Sequence, residues 1–477
     1  MIERLFRVSE RGSTVSRELR GGLVTFMAMA YIIVLNPLIL GSVTPGDPSA
    51  KADALGGILP VAQVAAVTAL VAGVMTILFG VIANYPFAIA TGLGINTLLA
   101  VTIAPMMTWP EAMGLVVING IIIVILALTG FRTAVFNAVP TELKTAIAVG
   151  IGAFIALIGL VDSGFVRRLP DAANTTVPVG LGTGGSIASW PTFVFVIGLI
   201  IVGVLVARGV RAGILIGVVV NTIIAIVVEA IVRVGPGGPT NPGGWSLAVP
   251  AIPDRIVGLP DLSLVGQVSL GAFTRLDIIT VVLLIFTLVL ANFFDAMGTL
   301  TGLGRQAGLT DSDDKLPNVG KALVVEGAGA VAGGVGSASS NTIFVESAAG
   351  IAEGARTGLA NVLTGLLFLL AMFFTPLYSI VPVEAAAPAL VVVGALMFRQ
   401  ITSVSLDDLR TAIPVFLTIT VMPFTYSIAN GIGAGFVSYV ALAAATGRAK
   451  QVHPLMWVVA VLFVGYFGVG PLRELLG

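Results

Sequence analysis

Two carboxylates stand inside long apolar stretches, Asp295 in LVLANFFDAMGTL and Glu346 in NTIFVESAAG. On insertion scales an ionisable group at membrane depth costs about 2.5–3.5 kcal/mol, so its default place is a bundle interior or a watered cavity where it meets a ligand or an ion. The alternative for Glu346 is a structural carboxylate that caps a short helix or bonds a neighbouring Ser or Thr. The stretch around it, GGVGSASSNTIFVESAAG (333–350), is broken by small residues, and so is YPFAIATGLGIN (85–96) in the first half. A broken helix leaves orphan backbone N–H groups and the positive end of a dipole. Beside fixed carboxylates these offer donors and acceptors together, which suits a heteroaromatic ring carrying both N–H groups and ring-nitrogen or carbonyl acceptors. A simple anion would be repelled by Asp295 and Glu346.

The ligand is therefore expected between 92–96 and 341–350, with Gly94 and Thr342 as further binding candidates and Asn341 in support. Phe344, two residues before Glu346, either stacks on the ring or packs ordinarily. Asn96 follows Gly92 and Gly94, where the backbone permits close approach; its amide either touches substrate or ties the broken span to a neighbour. Asn292, one helical turn before Asp295, supports it by orienting the carboxylate or serves a structural bond. The remaining charges read more plainly. Glu353 and Arg356 suit an (i, i+3) pair, Glu326 with Lys321 lies near a helix start, and Glu229, Glu384 and Asp162 lie near span ends.

Composition narrows the chemistry. The 477 residues are 57% hydrophobic and 10% charged, with a mean hydropathy of +1.06, which defines an all-α polytopic membrane protein. Cys is absent and His453 is the single histidine, removing thiolate and multi-His metal sites, cysteine nucleophiles and a Ser-His-Asp triad. No catalytic residue, metal or cofactor is expected. A net charge of zero without a basic block offers nothing to nucleic acid, so the partners are lipid and a small ligand.

The elements that must position these residues are apolar runs at 22–40, 58–83, 86–104, 111–130, 143–161, 191–207 and 213–232. After a Gly- and Pro-rich extracytoplasmic loop (233–276) come 277–300, 319–336, 342–353, 357–376, 385–398, 411–427 and 429–446, then an appended helix within 454–477. With 1–21 cytoplasmic, most of the 24 basic residues fall on the inner side, including Arg4, Arg7, Arg11, Arg17, Arg20, Arg132, Lys144, Arg305 and Lys315. Seven spans per half is the condition for an inverted repeat, and spans 3 and 10 are the broken pair.

The motifs RGGLVTFMAMAYIIVLNP (20–37), GLGIN (92–96), GIGAFIALIGL (150–160), FDAMGT (294–299), VESAAGIAEGARTGL (345–359), APALVVVGALM (387–397) and PVFLTITVMPFTYSIANGIGAGFVSYV (414–440) together resemble the AzgA-like purine permeases of the nucleobase cation symporter superfamily, the xanthine/uracil permease-like group. That resemblance implies a 7+7 inverted-repeat transporter of about fourteen helices. Its core domain would comprise spans 1–4 and 8–11 (22–130 and 277–376) and its gate domain spans 5–7 and 12–14 (143–232 and 385–446). It also implies import of adenine, guanine or hypoxanthine with protons across a cell membrane, binding carboxylates at Asp295 and Glu346, an asparagine at Asn96, and admits a homodimer. The chain departs from the family pattern at Asn292, Ala296 and Phe344, where an acid, a threonine and a tyrosine are usual. The expected mechanism has purine N–H groups on Glu346 and Asp295, with Asp295 favoured as proton site and Glu346 as anchor. The rivals are a carrier of uracil, xanthine or a small anion on the same fold and, in a different class, a channel or membrane-embedded hydrolase.

Overall fold

The computed structural model describes residues 2–42, 51–168, 179–182, 185–238, 240–310 and 316–476. Lys315, counted above among the inner basic residues, and Met1 and Gly477, at the ends of two expected segments, lie outside them. The first segment is helical from Val15–Met29 and again over Ile32–Leu40, with a turn at Ala30 and Tyr31 between. It starts earlier than the expected 22 because the Thr14 side chain accepts from the Arg17 amide and caps the helix. Segments 2 and 4–7 are Val61–Ala83, Trp109–Leu128, Thr141–Asp162, Trp190–Ala207 and Gly213–Val232. Segments 8 and 9 are Ile278–Gln306 and Val319–Val335, and segments 11–14 are Leu359–Ala371, Val383–Phe398, Leu409–Phe424 and Ile428–Ala445. Among the described residues ten helices are long and apolar enough to cross a membrane. Several begin at side-chain caps. Thr108 and Glu111 form a reciprocal capping box at segment 4, and Ser189, Asp277 and Ser427 cap segments 6, 8 and 14.

Segments 3 and 10 depart from continuous helix. In each a three-residue strand, Ile89–Thr91 and Asn341–Ile343, precedes a short helix, Leu93–Thr97 and Ser347–Ala352. The first continues through a π turn, Leu98–Ile103, into a 3-10 turn, Ala104–Met106. The strands pair antiparallel, Ile89 with Ile343, Ala90 with Thr342 and Thr91 with Asn341. Flanking bonds extend the pairing, Gly92 N–H to Ser340 O at 2.9 Å and Phe344 N–H to Ala88 O at 3.0 Å. An extended stretch among apolar helices has no water for its polar backbone, and each strand satisfies the other.

The packing obeys an exchange rule. Replacing each segment by the one seven positions on turns most of the larger contacting pairs into contacting pairs: 4 on 9 becomes 11 on 2, 8 on 4 becomes 1 on 11, 5 on 13 becomes 12 on 6, and 13 on 14 becomes 6 on 7. Segments 5 and 12 pack on each other, as do the strands of 3 and 10, and are their own images. The fold is accordingly a 7+7 inverted repeat. Two groups of helices emerge, segments 1–4 with 8–11 and segments 5–7 with 12–14. Small residues let helices close up within each group: a Cβ at Gly394 would lie 2.4 Å from Gly152 O, and one at Gly358 would lie 1.8 Å from Gly80 O. The last helix, Pro454–Leu476, packs Phe463 on Phe436 and Gly433 of segment 14.

Candidate functional site

The crossing strands open a cavity of 340 Å³ between the two groups, lined among others by Tyr31, Gly92, Gly94, Lys144, Phe294, Asp295, Thr342, Phe344 and Glu346. Segment 8 delivers Asp295 from one side. The turn after the second strand delivers Glu346 from the other. Gly92 lies against Thr342 and Asp295, since a Cβ there would stand 3.1 Å from Thr342 Cγ2 and 3.7 Å from Asp295 Oδ2; a bare backbone is what leaves room. Gly94 faces Ile151 and Ile428 of the other group, so the cavity floor comes from one group and its opposite wall from the other. A cavity of this size, mainly apolar with a few convergent polar groups, is typical of a small-molecule site.

Glu346 has a partner that the sequence did not reveal. The Tyr31 hydroxyl, held at the turn of segment 1, donates to Glu346 Oε1, fixing one carboxylate oxygen. Tyr31 sits in MAMAYIIVLNP as one amphipathic residue in an apolar run, with no spacing signal to single it out. Phe294 is another lining residue missed, as are Lys144, Thr299 and Gln306; Phe294 packs edge-on against Phe436 at 5.4 Å.

Of the expected residues, Asp295, Glu346, Gly94, Thr342 and Phe344 share this cavity, and Asn96, Asn292 and Asn341 are absent from its lining. Asn96 is fully buried; its Nδ2 donates to Asn36 Oδ1 at 2.6 Å and its Oδ1 accepts from Thr91 Oγ1 at 2.7 Å. Asn36 continues to Thr68 Oγ1 at 2.7 Å and Ala338 O at 3.1 Å, so Asn96 ties segment 3 to segments 1 and 2. Asn292 is buried with no hydrogen bond to its amide among the described residues, and the orienting bond to Asp295 is not formed. Asn341 lies in the strand with its Cβ beside Gly329 of segment 9.

Three charge readings are corrected. Glu353 pairs with Arg211 at 2.5 Å and Arg20 at 3.8 Å instead of Arg356, whose guanidinium caps Ile351 O and Ala355 O while its amide donates to Glu18. Glu326 is a wholly buried mid-helix residue, paired with Arg132 at 2.5 Å. Arg132, counted as a loop cation, is equally buried. Glu384 is 2% exposed and accepts from the Ser246 amide at 3.1 Å, while Asp162 meets Lys51 at 3.6 Å.

A cavity at the two broken, paired segments of an inverted repeat, with Glu346 on one of them and Asp295 on the adjoining segment 8, is that of a transporter, not an enzyme. The chain belongs to the family described as Permease family (Xan_ur_permease), which matches residues 16–434. It is 38% identical over 474 residues to the guanine/hypoxanthine permease PbuG of Bacillus subtilis, covering 98% of this chain and 99% of that one. It is 36% identical to the adenine permease AdeQ of Escherichia coli, covering 97% and 95%. Among solved structures it matches the transmembrane domain of the cyanobacterial bicarbonate transporter BicA with a TM-score of 0.57 at 15% identity, covering 90% of this chain and 97% of that one. Murine Slc26a9, an anion transporter in the inward-facing state, matches with a TM-score of 0.59 at 12% identity, covering 94% and 72%. At those identities the likeness concerns the fold alone.

Proposed function

We propose that this permease imports purine nucleobases, adenine, guanine or hypoxanthine, together with protons. The observation that carries the reading is the convergence of Asp295 and Glu346 on one 340 Å³ cavity; the relatives named as guanine/hypoxanthine and adenine permeases support the ligand class. A purine places ring N–H groups on Glu346 and on Asp295. Backbone N–H groups at the starts of the two short helices face its acceptors, and Phe344 and Phe294 bound the ring. Asp295 takes the coupled proton and Glu346, held by Tyr31, anchors the base. Segments 1–4 with 8–11 act as the core domain and segments 5–7 with 12–14 as the gate, and relative movement transfers the site between faces. The cavity extends to Lys144, Gln306 and Gln400 at segment ends; the charge bias supports reading that side, with the N-terminus, as the cytoplasmic face of the cell membrane.

Uptake of labelled adenine, guanine, hypoxanthine and uracil into cells lacking nucleobase carriers, with and without an uncoupler, tests this. Saturable, uncoupler-sensitive purine uptake is expected; uptake of uracil alone, or of no base by folded protein, would overturn it. Lys144 in the lining favours a second reading, a small-anion carrier. In that case bicarbonate or sulfate would be taken up and purines would not compete.

A further inference from the structure

Outside the cavity, an ion pair ties the connection between the two helix groups to the first of them. Arg132 belongs to the short helix Phe131–Ala138, the connection from segment 4 to segment 5 and so from one group to the other. Its side chain is fully buried and runs back into the first group. Nη1 donates to Glu326 Oε2 at 2.5 Å, and Nη2 points at the carbonyl oxygens of Asn292 and Phe293 at 3.4 and 3.3 Å. The guanidinium carbon stands 5.5 Å from the Phe293 ring centroid. The contact is only half made, because Arg132 Nε and Glu326 Oε1 have no hydrogen-bond partner among the described residues.

Asp295 follows Phe293 by two residues on the same helix. The charged groups within its electrostatic reach are Glu326, Glu346 and Arg132, and Thr342 is its polar neighbour; Lys144 and Tyr31 share its cavity. Arg132 is a cation that segment 8 itself holds, through the Asn292 and Phe293 carbonyls three and two residues before Asp295, and at low dielectric a unit charge appearing or vanishing on Asp295 changes the force on it steeply. With Asp295 neutral, Arg132 and Glu326 balance. With Asp295 ionised, the cluster carries an excess negative charge that competes for a guanidinium with donors to spare.

We propose that Arg132 is a positioning residue for coupling: it registers the charge on Asp295 and passes it to the connection between the two groups. This rests on the proton-coupled reading above. A merely structural buried pair would affect folding alone.

The test compares Arg132→Gln, Arg132→Lys and the uncharged double variant Arg132→Gln/Glu326→Gln in membrane vesicles with labelled hypoxanthine. Thermal stability, counterflow exchange and gradient-driven accumulation are each measured across pH. The double variant is expected to fold and exchange hypoxanthine, yet to lose accumulation about tenfold with the pH profile moved by about one unit. Arg132→Lys, which keeps the charge, is expected to restore the profile. Wild-type accumulation with an unmoved profile in the double variant would overturn the proposal, even if Arg132→Gln alone fails to fold. Wild-type uptake indifferent to an uncoupler would instead overturn proton coupling itself, and is read before any variant.

Discussion

Glu346 is held by one hydrogen bond from Tyr31, and hydrogen bonds to charged groups contribute about 1.5–3 kcal/mol. Tyr31→Phe is expected to weaken purine binding by roughly ten- to a hundredfold on that basis, measured by equilibrium binding in detergent, with folding intact. Glu346→Gln is expected to abolish binding; wild-type affinity would end its role as anchor. Asp295→Asn is expected to bind purine without concentrating it, and unchanged accumulation against a proton gradient would exclude Asp295 as the coupling site. Asn96→Ala separates a tie from a contact. It strands Asn36 and Thr91, so melting temperature is expected to fall while the affinity of the surviving folded protein stays near wild type.

At the scale of elements, helix caps and close approaches decide what is tolerated. Gly394→Val drives a side chain into Gly152 O, which a Cβ at 394 would already meet at 2.4 Å; overpacking of about 1–3 kcal/mol or more is expected, read as lost folded yield. Asp408 caps segment 13, and hydrogen bonds from the Arg410 side chain and amide hold its carboxyl at about 2. A depressed carboxyl contributes above its ordinary value and loses that contribution as pH falls towards 2. The melting-temperature gap between wild type and Asp408→Asn is therefore expected to close below about pH 4.

What was readable beforehand follows the same physics. Asp295 and Glu346 stood out because a carboxylate among apolar residues needs a reason, and the broken segments stood out because Gly and Ser interrupt them. The order of helices was legible from hydropathy. Asn96 was ambiguous because its partner, Asn36, lies 60 residues away. Tyr31 was hidden because a phenol belongs in apolar runs as readily as in sites. Arg132 and Glu326 were hidden because charges near predicted span ends read as solvated, and their pairing across 194 residues has no local signature.

At the scale of the molecule, ion pairs tie the two groups at both ends. Arg211 holds Glu353 where the cavity opens, and Lys51 holds Asp162 at the far end of segment 5. Partly exposed pairs contribute about 0–1 kcal/mol, enough to bias two conformations up to about fivefold. The chain has no cysteine, so Ala148→Cys, in the cavity lining, reports opening alone. Its labelling by a thiol reagent is expected to slow when purine is present, and to slow again when Asp162→Asn removes the clasp opposite. Unchanged labelling in both cases would contradict alternation around this cavity.

The strand pairing also sets a condition on biosynthesis. Thr91 waits for Asn341, a separation of 250 residues. At about 5–20 residues per second the first strand stays unpaired for on the order of 10–50 s. An open strand edge has no tolerable place in lipid, so during translation the insertion machinery or the first half's own helices must shelter it. A ribosome stalled just before residue 341 would leave a truncated protein exposed to quality control, however well the nine segments before it had inserted.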